Sequence, residues 1–317
     1  MSASPLQTER ILVILNPYSG RGRGARIKST VQTTLSAAGL THDYIETKAQ
    51  GQGVELAQQA VEDGYSILVA VGGDGTVNEV VNGLMRGLPA VSSSPKLGIV
   101  SVGSGNDFAN TMGIAQDAVQ AVQAIRHGVT RPCDLGHVVI HTAGERIERY
   151  FSNNFGIGLD PQVTLESFKI KRLSGLAMYG LAALRAIWNY EAPTMRLRWE
   201  NGSGESGEWH EPLLLASIGN TPRSGGGFHL TPRACVDDGL LDLVMAANMP
   251  RWQVLRLLPK AIPGRHLGDP AVTAVQARTV QISADQPFPL EMDGEVITQA
   301  AETVEITVQP GKLVVIV

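Results

Sequence analysis

The first third of the chain alternates short apolar runs with helix-length amphipathic stretches. Ile11 to Leu15 (ILVIL), Ile67 to Val71 (ILVAV) and Leu97 to Val100 (LGIV) are nearly continuous in apolar side chains, the pattern of a strand covered on both faces. Helical periodicity fills the intervals at about Ala25–Ala38, Val54–Glu62 and Val77–Met85. This part therefore predicts a parallel sheet wrapped by helices. After Asp134 the texture changes. Met195–Trp199, Leu213–Ile218 and Leu240–Met245 are strand-like segments separated by turn-rich stretches such as Asn201–Gly207 (NGSGESG), which predicts antiparallel strands in a β-rich second domain. Helical patterns interrupt it at about Leu173–Tyr190 and Trp252–Ile262, and Thr303–Val308 and Lys312–Val317 are again strand-like. A length of 317 residues, at roughly 150 per domain, also predicts two domains.

Composition removes several classes of function. A formal charge of −4 argues against the broad basic surface that nucleic acid requires, so no nucleic-acid partner is expected. Two cysteines, Cys133 and Cys235, supply neither a zinc site nor a disulfide framework and point to a reducing compartment. Met1 to Arg10 is polar and no apolar run of about 18 residues follows, so the expected location is cytoplasmic. Glycine is the one excess, 35 residues against a usual share of about 7%.

Those glycines gather where they permit chemistry. Gly72-Gly73-Asp74-Gly75-Thr76 lies between a predicted strand and a predicted helix, and Thr76 with Glu79 has the T-x-x-E spacing of a capping box. Glycines let backbone approach a ligand, and unsatisfied N–H groups at a helix start attract phosphate. Asp74 beside phosphates calls for a cation or a hydroxyl proton between them, which makes it a candidate for organising Mg²⁺ or handling a substrate hydroxyl. A second cluster, Gly103-Ser104-Gly105-Asn106-Asp107, follows the strand Leu97–Val100; there Ser104 can bond a phosphate and Asp107 can join Asp74. The first cluster runs from Asn16 to Ala25 (NPYSGRGRGA). Gly20, Gly22 and Ala25 fit the dinucleotide fingerprint, but four residues including Pro17 separate them from the strand, and Arg21 and Arg23 suit a triphosphate better. No Walker sequence is present. Far along the chain, Asp293 and Glu295 flank Gly294 in a predicted turn, and Cys235-Val236-Asp237-Asp238-Gly239-Leu240 gathers oxygen donors of the kind Mg²⁺ takes.

Together these motifs resemble the diacylglycerol kinase catalytic family, and within it the bacterial lipid kinases of the YegS and DgkB type. Asn16-Pro17-Tyr18-Ser19-Gly20 is similar to the family's first nucleotide loop, Gly72 to Gly83 (GGDGTVNEVVNG) to its signature, and Gly103 to Phe108 (GSGNDF) to its G-T-x-N-D-F loop. The resemblance implies an α/β nucleotide-binding domain with a parallel sheet and helices, followed by a larger β-sandwich-like domain of the NAD kinase/diacylglycerol kinase type. The ATP-binding domain is expected over 1–133, joined by the C-terminal strands at about 303–317, and the lipid-substrate domain over 134–302, with ATP in the cleft between them. It implies ATP contacts from Asn16, Pro17, Tyr18, Ser19, Gly20, Arg21, Thr47, Gly72, Gly73, Asp74, Gly75, Thr76, Val77, Asn78 and Ser104. Asp74, Asp107 and Asp134 would form an acidic network that holds the catalytic Mg²⁺ through water. A second Mg²⁺ site would use Asp238 with the carbonyls of Cys235 and Leu240, and Glu295 or Asp293 would be the general base. Two positions depart from the family pattern: Arg21 stands where Lys is frequent, and Asn110 where some members carry Arg.

The expected activity is transfer of the γ-phosphoryl of ATP to the hydroxyl of diacylglycerol or a related lipid alcohol. A kinase for a soluble acceptor such as NAD shares the GGDG chemistry, and a silent nucleotide-binding module is the remaining alternative. The D-G-E and D-D-G turns favour the lipid family, and the retained carboxylates argue against a silent module. A lipid acceptor implies peripheral contact with the inner membrane face, for which Phe168-Lys-Ile-Lys-Arg-Leu173 has a suitable mixture of apolar and basic side chains. A homodimer is the default oligomer.

Overall fold

A computed structural model describes residues 9–88, 94–173, 175–225 and 227–317. It divides into two compact units, Met1–Cys133 with Gly311–Val317, and Asp134–Pro310.

The first unit is a parallel sheet wound with helices. Its elements are β1 (Ile11–Leu15), α1 (Ser19–Ala37), β2 (His42–Glu46), α2 (Gln52–Glu62), β3 (Ile67–Gly72), α3 (Asp74–Gly87), β4 (Lys96–Ser101), α4 (Asp107–Thr111) and α5 (Ala118–His127). β1 pairs in parallel with β2 and β3, and β3 with β4. Alternate residues on each strand point to opposite faces, so both faces need cover. Ile11, Val13, Leu15, Ile67, Val69 and Val71 pack with Val31 and Leu35 of α1 and with Ala121, Val122 and Ile125 of α5. α2 and α3 pack on each other. Local chemistry fixes some helix ends: Asp117 accepts a bond from the Gln120 N–H at 3.0 Å to start α5, and Gly128 in the left-handed region stops it.

The second unit begins inside β5 (Thr130–His141), which pairs antiparallel with β6 (Arg146–Phe151). There follow β7 (Asn154–Gly158), α6 (Leu159–Phe168), α7 (Gly175–Asn189), β8 (Thr194–Glu200), β9 (Ser206–Gly219), β10 (Leu241–Ala247), α8 (Arg251–Ala261), β11 (Val272–Ala277), β12 (Thr279–Met292) and β13 (Glu295–Ile316). The order β11-β10-β9-β7-β12-β13 is antiparallel throughout, and β8 pairs with β9 and with β12. Alternation again sorts the side chains. Ile218 and Leu243 join Phe151, Phe155, Leu197, Leu290 and Val304 in the main core. Leu214 and Val244 belong to a second cluster with Leu159 of α6, Ala186 and Ile187 of α7, and Val254 and Leu257 of α8.

Two expectations change. The strand-like segments Thr303–Val308 and Lys312–Val317 belong to one strand, β13, because Gly311 at φ 58 carries the backbone through the Pro310-Gly311 step instead of breaking it. Thr303 to Thr307 pair with β12 and stay with the second unit, so the segment that returns to the first begins at Gly311 rather than near 303. There Val314 and Val315 pair in parallel with Lys96 and Leu97 of β4.

Candidate active site

In the first unit the strand order β2-β1-β3-β4 reverses direction of winding at β1 and β3. Loops leaving the carboxyl ends of such strands diverge and leave a crevice between them. Asn16 follows β1, Thr47 follows β2 and Gly73 follows β3. The two central loops are tied across this crevice: the Asn16 side-chain amide donates to the Thr76 hydroxyl at 3.1 Å, while its carbonyl oxygen accepts from the Tyr18 N–H at 3.0 Å. Asn16, Tyr18, Ser19 and Thr47 line a cavity of about 370 Å³ with Gly73, Gly75 and Thr76, joined by Ala49, Gln50 and Glu79. That volume lies within the range of small-ligand sites.

Close packing of the loops explains several glycines. A Cβ on Gly20 would stand 2.1 Å from the Val102 carbonyl oxygen, and one on Gly24 would stand 2.0 Å from that of Asn16. Gly20, Arg21 and Gly22 all lie in the left-handed region, at φ 57, 59 and 83, so the start of α1 is a sharp turn of backbone rather than regular helix. Arg21 without glycine's freedom is strained there, by about 1–2 kcal/mol. Gly73 and Gly103 meet backbone to backbone, a Cβ on Gly103 falling 2.7 Å from the Gly73 Cα. Asp74 opens α3, and its Oδ1 accepts from the Phe108 N–H at 3.2 Å, which joins the first acidic loop to the one carrying Asp107. Asp107 is buried at the start of α4, and Ser104 is exposed.

The expected capping box does not form. Gly73 is the N-cap of α3, Thr76 lies inside the helix, and the Glu79 carboxylate accepts instead from the N–H groups of Gly51 and Gly53, both at 2.9 Å. With Thr76 third in the helix, Glu79 falls six residues past the N-cap and out of reach of its backbone, so its carboxylate holds the unsatisfied N–H groups at the start of α2 beside the cavity. Pro17, Val77 and Asn78 serve the backbone locally: the Pro17 carbonyl accepts from Ala25 N–H, Val77 N–H donates to Gly73, and Asn78 accepts from the Asn82 amide.

The second unit assembles carboxylates by another route. Asp293 and Gly294, at φ 49 and 83, form the two-residue turn between β12 and β13, the type I′ geometry favoured by Asp-Gly. The Asp293 carboxylate accepts from the N–H groups of Ser152, Asn153 and Asn154 at 2.9–3.0 Å and from the Ser152 hydroxyl at 3.2 Å. Glu295, one position past the turn, is exposed. Asp134 accepts from Gly239 N–H at 2.7 Å, which binds it to the D-D-G turn. The Asn220 amide donates to the Asp134 carbonyl at 2.8 Å and to the Ser152 carbonyl at 2.9 Å. Asp134, the D-D-G turn and the D-G-E turn thus belong to one hydrogen-bonded assembly inside this unit.

Asn220 was not among the residues expected from sequence, nor were Asp160 and Glu291. The register places Glu291 opposite Gly156, and a Cβ there would sit 2.8 Å from Glu291 Oε1 and 2.3 Å from Asp160 Oδ2. Glu291 Oε2 accepts from Gly294 N–H at 2.9 Å. Burial pushes the Glu291 carboxyl well above the usual range, and the charges of Asp160 and Asp293 add to it; burial also raises Asp160 to about 6.

Asp238 accepts from Leu240 N–H at 3.0 Å, and burial with the neighbouring charges of Asp134 and Asp237 raises its carboxyl. Oxygen donors in a field of crowded negative charge fit a hard cation. Among the described residues no three His, Cys, Asp or Glu side chains converge as metal ligands, so such a site would depend on backbone carbonyls.

Comparison with known proteins decides the family. Residues 10–138 match the family model for the diacylglycerol kinase catalytic domain, and residues 154–317 that for the YegS C-terminal NAD kinase beta sandwich-like domain. The chain belongs to the diacylglycerol kinase catalytic family. It is 35% identical over 246 residues to the Chromohalobacter salexigens protein named "Probable lipid kinase YegS-like", covering 77% of this chain and 74% of that one. The diacylglycerol kinase of Bacillus subtilis (strain 168) is 29% identical over 290 residues, 90% of each chain. A crystal structure of a diacylglycerol kinase from Bacillus anthracis shares the fold, with a TM-score of 0.72 over 97% of this chain and 96% of that one at 21% identity. The protein is accordingly a lipid kinase, and among its described residues no helix is long and apolar enough to cross a membrane.

Proposed function

We propose that this family member transfers the γ-phosphoryl group of ATP to the hydroxyl of diacylglycerol or a related lipid alcohol. The observation that carries the nucleotide half of this reading is the cavity walled by Asn16, Ser19, Gly73 and Thr76 at the carboxyl ends of β1 and β3. The three left-handed residues at 20–22 and the exposed guanidinium of Arg21 suit the phosphates, while Thr47, Gln50 and Tyr18 line the rest. Gly72 to Asn78 and Ser104 complete the proposed contacts.

Phosphoryl transfer needs positioning and charge neutralisation more than covalent chemistry. Bound Mg²⁺ would supply that neutralisation, and Asp74, Asp107 and Asp134 are the residues proposed to hold it. Asp238 with the carbonyls of Cys235 and Leu240 is proposed for a second, structural ion. On the acceptor side, Asp293 already receives four hydrogen bonds from Ser152 to Asn154, so its lone pairs are committed to the turn. Glu295 is therefore the group that takes the hydroxyl proton, and Asp293 positions it. Residues 1–133 with the end of β13 form the proposed ATP-binding part, and the β-rich part carries the acceptor chemistry. A peripheral stay at a membrane surface follows from the acceptor.

ATP turnover measured against a panel of lipid alcohols, with NAD as the soluble control, tests this reading. Asp74→Asn is expected to reduce kcat by at least a hundredfold with the fold retained, and full turnover in that variant overturns the assignment. Phosphorylation of NAD but of no lipid overturns the acceptor class.

A further inference from the structure

The second unit exposes large apolar side chains in a place where a folded domain ordinarily shows none. Trp188 and Leu184 on α7 are 64% and 46% exposed, and Trp252 on α8 is 56% exposed. Their helices are otherwise conventional: α7 buries Ala186 and Ile187, and α8 buries Val254 and Leu257, in one shared cluster against the sheet. The apolar residues on the outer faces are therefore surplus to the core. A singly exposed apolar residue is ordinary, but two tryptophans and a leucine on two helices packed together are not.

Charge on the same faces has one sign. Arg185 on α7 and Arg251 and Arg256 on α8 are exposed. The Arg251 guanidinium lies 5.7 Å from the Trp188 ring centre, joining the two helices, and Arg256 lies 5.7 Å from the Trp252 ring. Of the carboxylates around this face, Glu166 is paired with Lys169 and Asp269 with Lys260, while Glu191 stands exposed just past the end of α7. Trp188, Leu184 and Arg185 also wall a shallow hollow with Glu166 of α6. Indole rings favour the boundary between headgroups and acyl chains, and guanidinium groups bind phosphate. A protein partner of opposite charge would require acidic side chains to answer the arginines, whereas an anionic lipid surface supplies both the phosphates and the apolar layer beneath them.

We infer that the outer faces of α7 and α8, centred on Trp188, Trp252, Arg185, Arg251 and Arg256, dock the protein on an anionic lipid bilayer. This extends the lipid-kinase reading and rests on it for the purpose of docking, but not for the surface itself. It places the contact on two packed helices, beyond the Phe168–Leu173 stretch that the sequence singles out.

Co-sedimentation of the full chain with phosphatidylcholine vesicles, with and without phosphatidylglycerol, tests the docking. The wild-type protein is expected to bind only the anionic vesicles. R185E/R251E/R256E is expected to lose roughly a hundredfold in partitioning, since each basic residue at an anionic surface contributes a factor of about five. W188S/W252S removes the apolar anchors and is expected to weaken binding tenfold or more even at low salt. Phosphorylation of diacylglycerol embedded in the vesicles falls in both variants, while turnover of water-dispersed dioctanoylglycerol stays at the wild-type level. Equal vesicle binding by wild type and variants overturns the proposal. So does a dimer that the same substitutions dissociate without changing vesicle binding, which assigns the face to a second copy. Vesicle binding that follows the expected pattern without phosphorylation of any lipid sustains the docking surface and overturns the kinase reading instead.

Discussion

The two units arrange carboxylates around backbone N–H groups in different ways. In the first, Asp74 reaches Phe108 across 34 positions and Glu79 reaches Gly51 across 28, both linking neighbouring loops of one sheet end. In the second, Asp293 reaches Asn153 across 140 positions and Asn220 reaches Asp134 across 86. The first unit builds its cavity largely from backbone that glycines allow to come close. The second builds its turn from side chains that meet only when distant strands pair. A glycine loop is damaged by adding one carbon, and a carboxylate latch by removing one group.

The D-G-E turn is where the largest effects separate. Asp293→Ala leaves three N–H groups and a hydroxyl without their acceptor and is expected to destabilise the protein by about 3–5 kcal/mol, read as a shift of the urea midpoint. Glu295→Gln should alter that midpoint by less than about 0.5 kcal/mol while lowering kcat roughly a hundred- to ten-thousandfold. The reverse outcome, a stable but inactive Asp293 variant beside an active Glu295 variant, exchanges their roles.

A smaller effect tests the backbone-built side. Gly20→Ala drives a methyl group to 2.1 Å from the Val102 carbonyl in a left-handed residue. It is expected to cost about 2–3 kcal/mol and to weaken ATP binding measured by calorimetry more than tenfold, with binding to lipid vesicles unchanged.

The smallest effect depends on pH. Asp160 has a folded value of about 6, above the value of about 3.9 expected in the unfolded chain. Between those limits the folded protein holds the extra proton, so stability falls as pH rises through about 6 and the penalty is complete above it. Asp160→Asn removes the charge and is expected to stabilise the protein by about 1–3 kcal/mol at neutral pH. That gain should vanish as pH falls toward 4, measured by thermal unfolding across the range. A gain that is independent of pH dissociates Asp160 from the titration.

Legibility in the sequence followed the same division. Ile11–Leu15 appears in the structure with the limits its apolar run predicts, and Ile67–Val71 and Leu97–Val100 each fall within a strand of six residues. Both faces of those strands are covered, so composition alone marks them. β2 (HDYIE) has no such run because it pairs with only one strand at the sheet edge and stays half-exposed. The Gly72–Gly75 and Gly103–Gly105 loops are legible because they sit at or just past the end of a strand. The Thr76–Glu79 spacing misleads, since a local rule cannot register that the N-cap of α3 is Gly73, which leaves Glu79 out of its reach. Asp160, Glu291 and Asn220 carry no local signal at all. Glu291 lies within a strand whose alternation gives no hint that Asp160 will share the space left by Gly156.

β13 has one further consequence, for the order in which the protein is made. Its opening residues complete the turn of the second unit, and its final residues complete the sheet of the first beside β4. During synthesis β1 to β4 emerge early, but the strand that covers the edge of β4 leaves the ribosome only after all of Asp134–Pro310. For that whole interval the nascent first unit presents an open, apolar parallel edge, the kind of template on which chains pair wrongly. Expression of this kinase should therefore respond to translation rate and chaperone supply more than its finished stability would suggest.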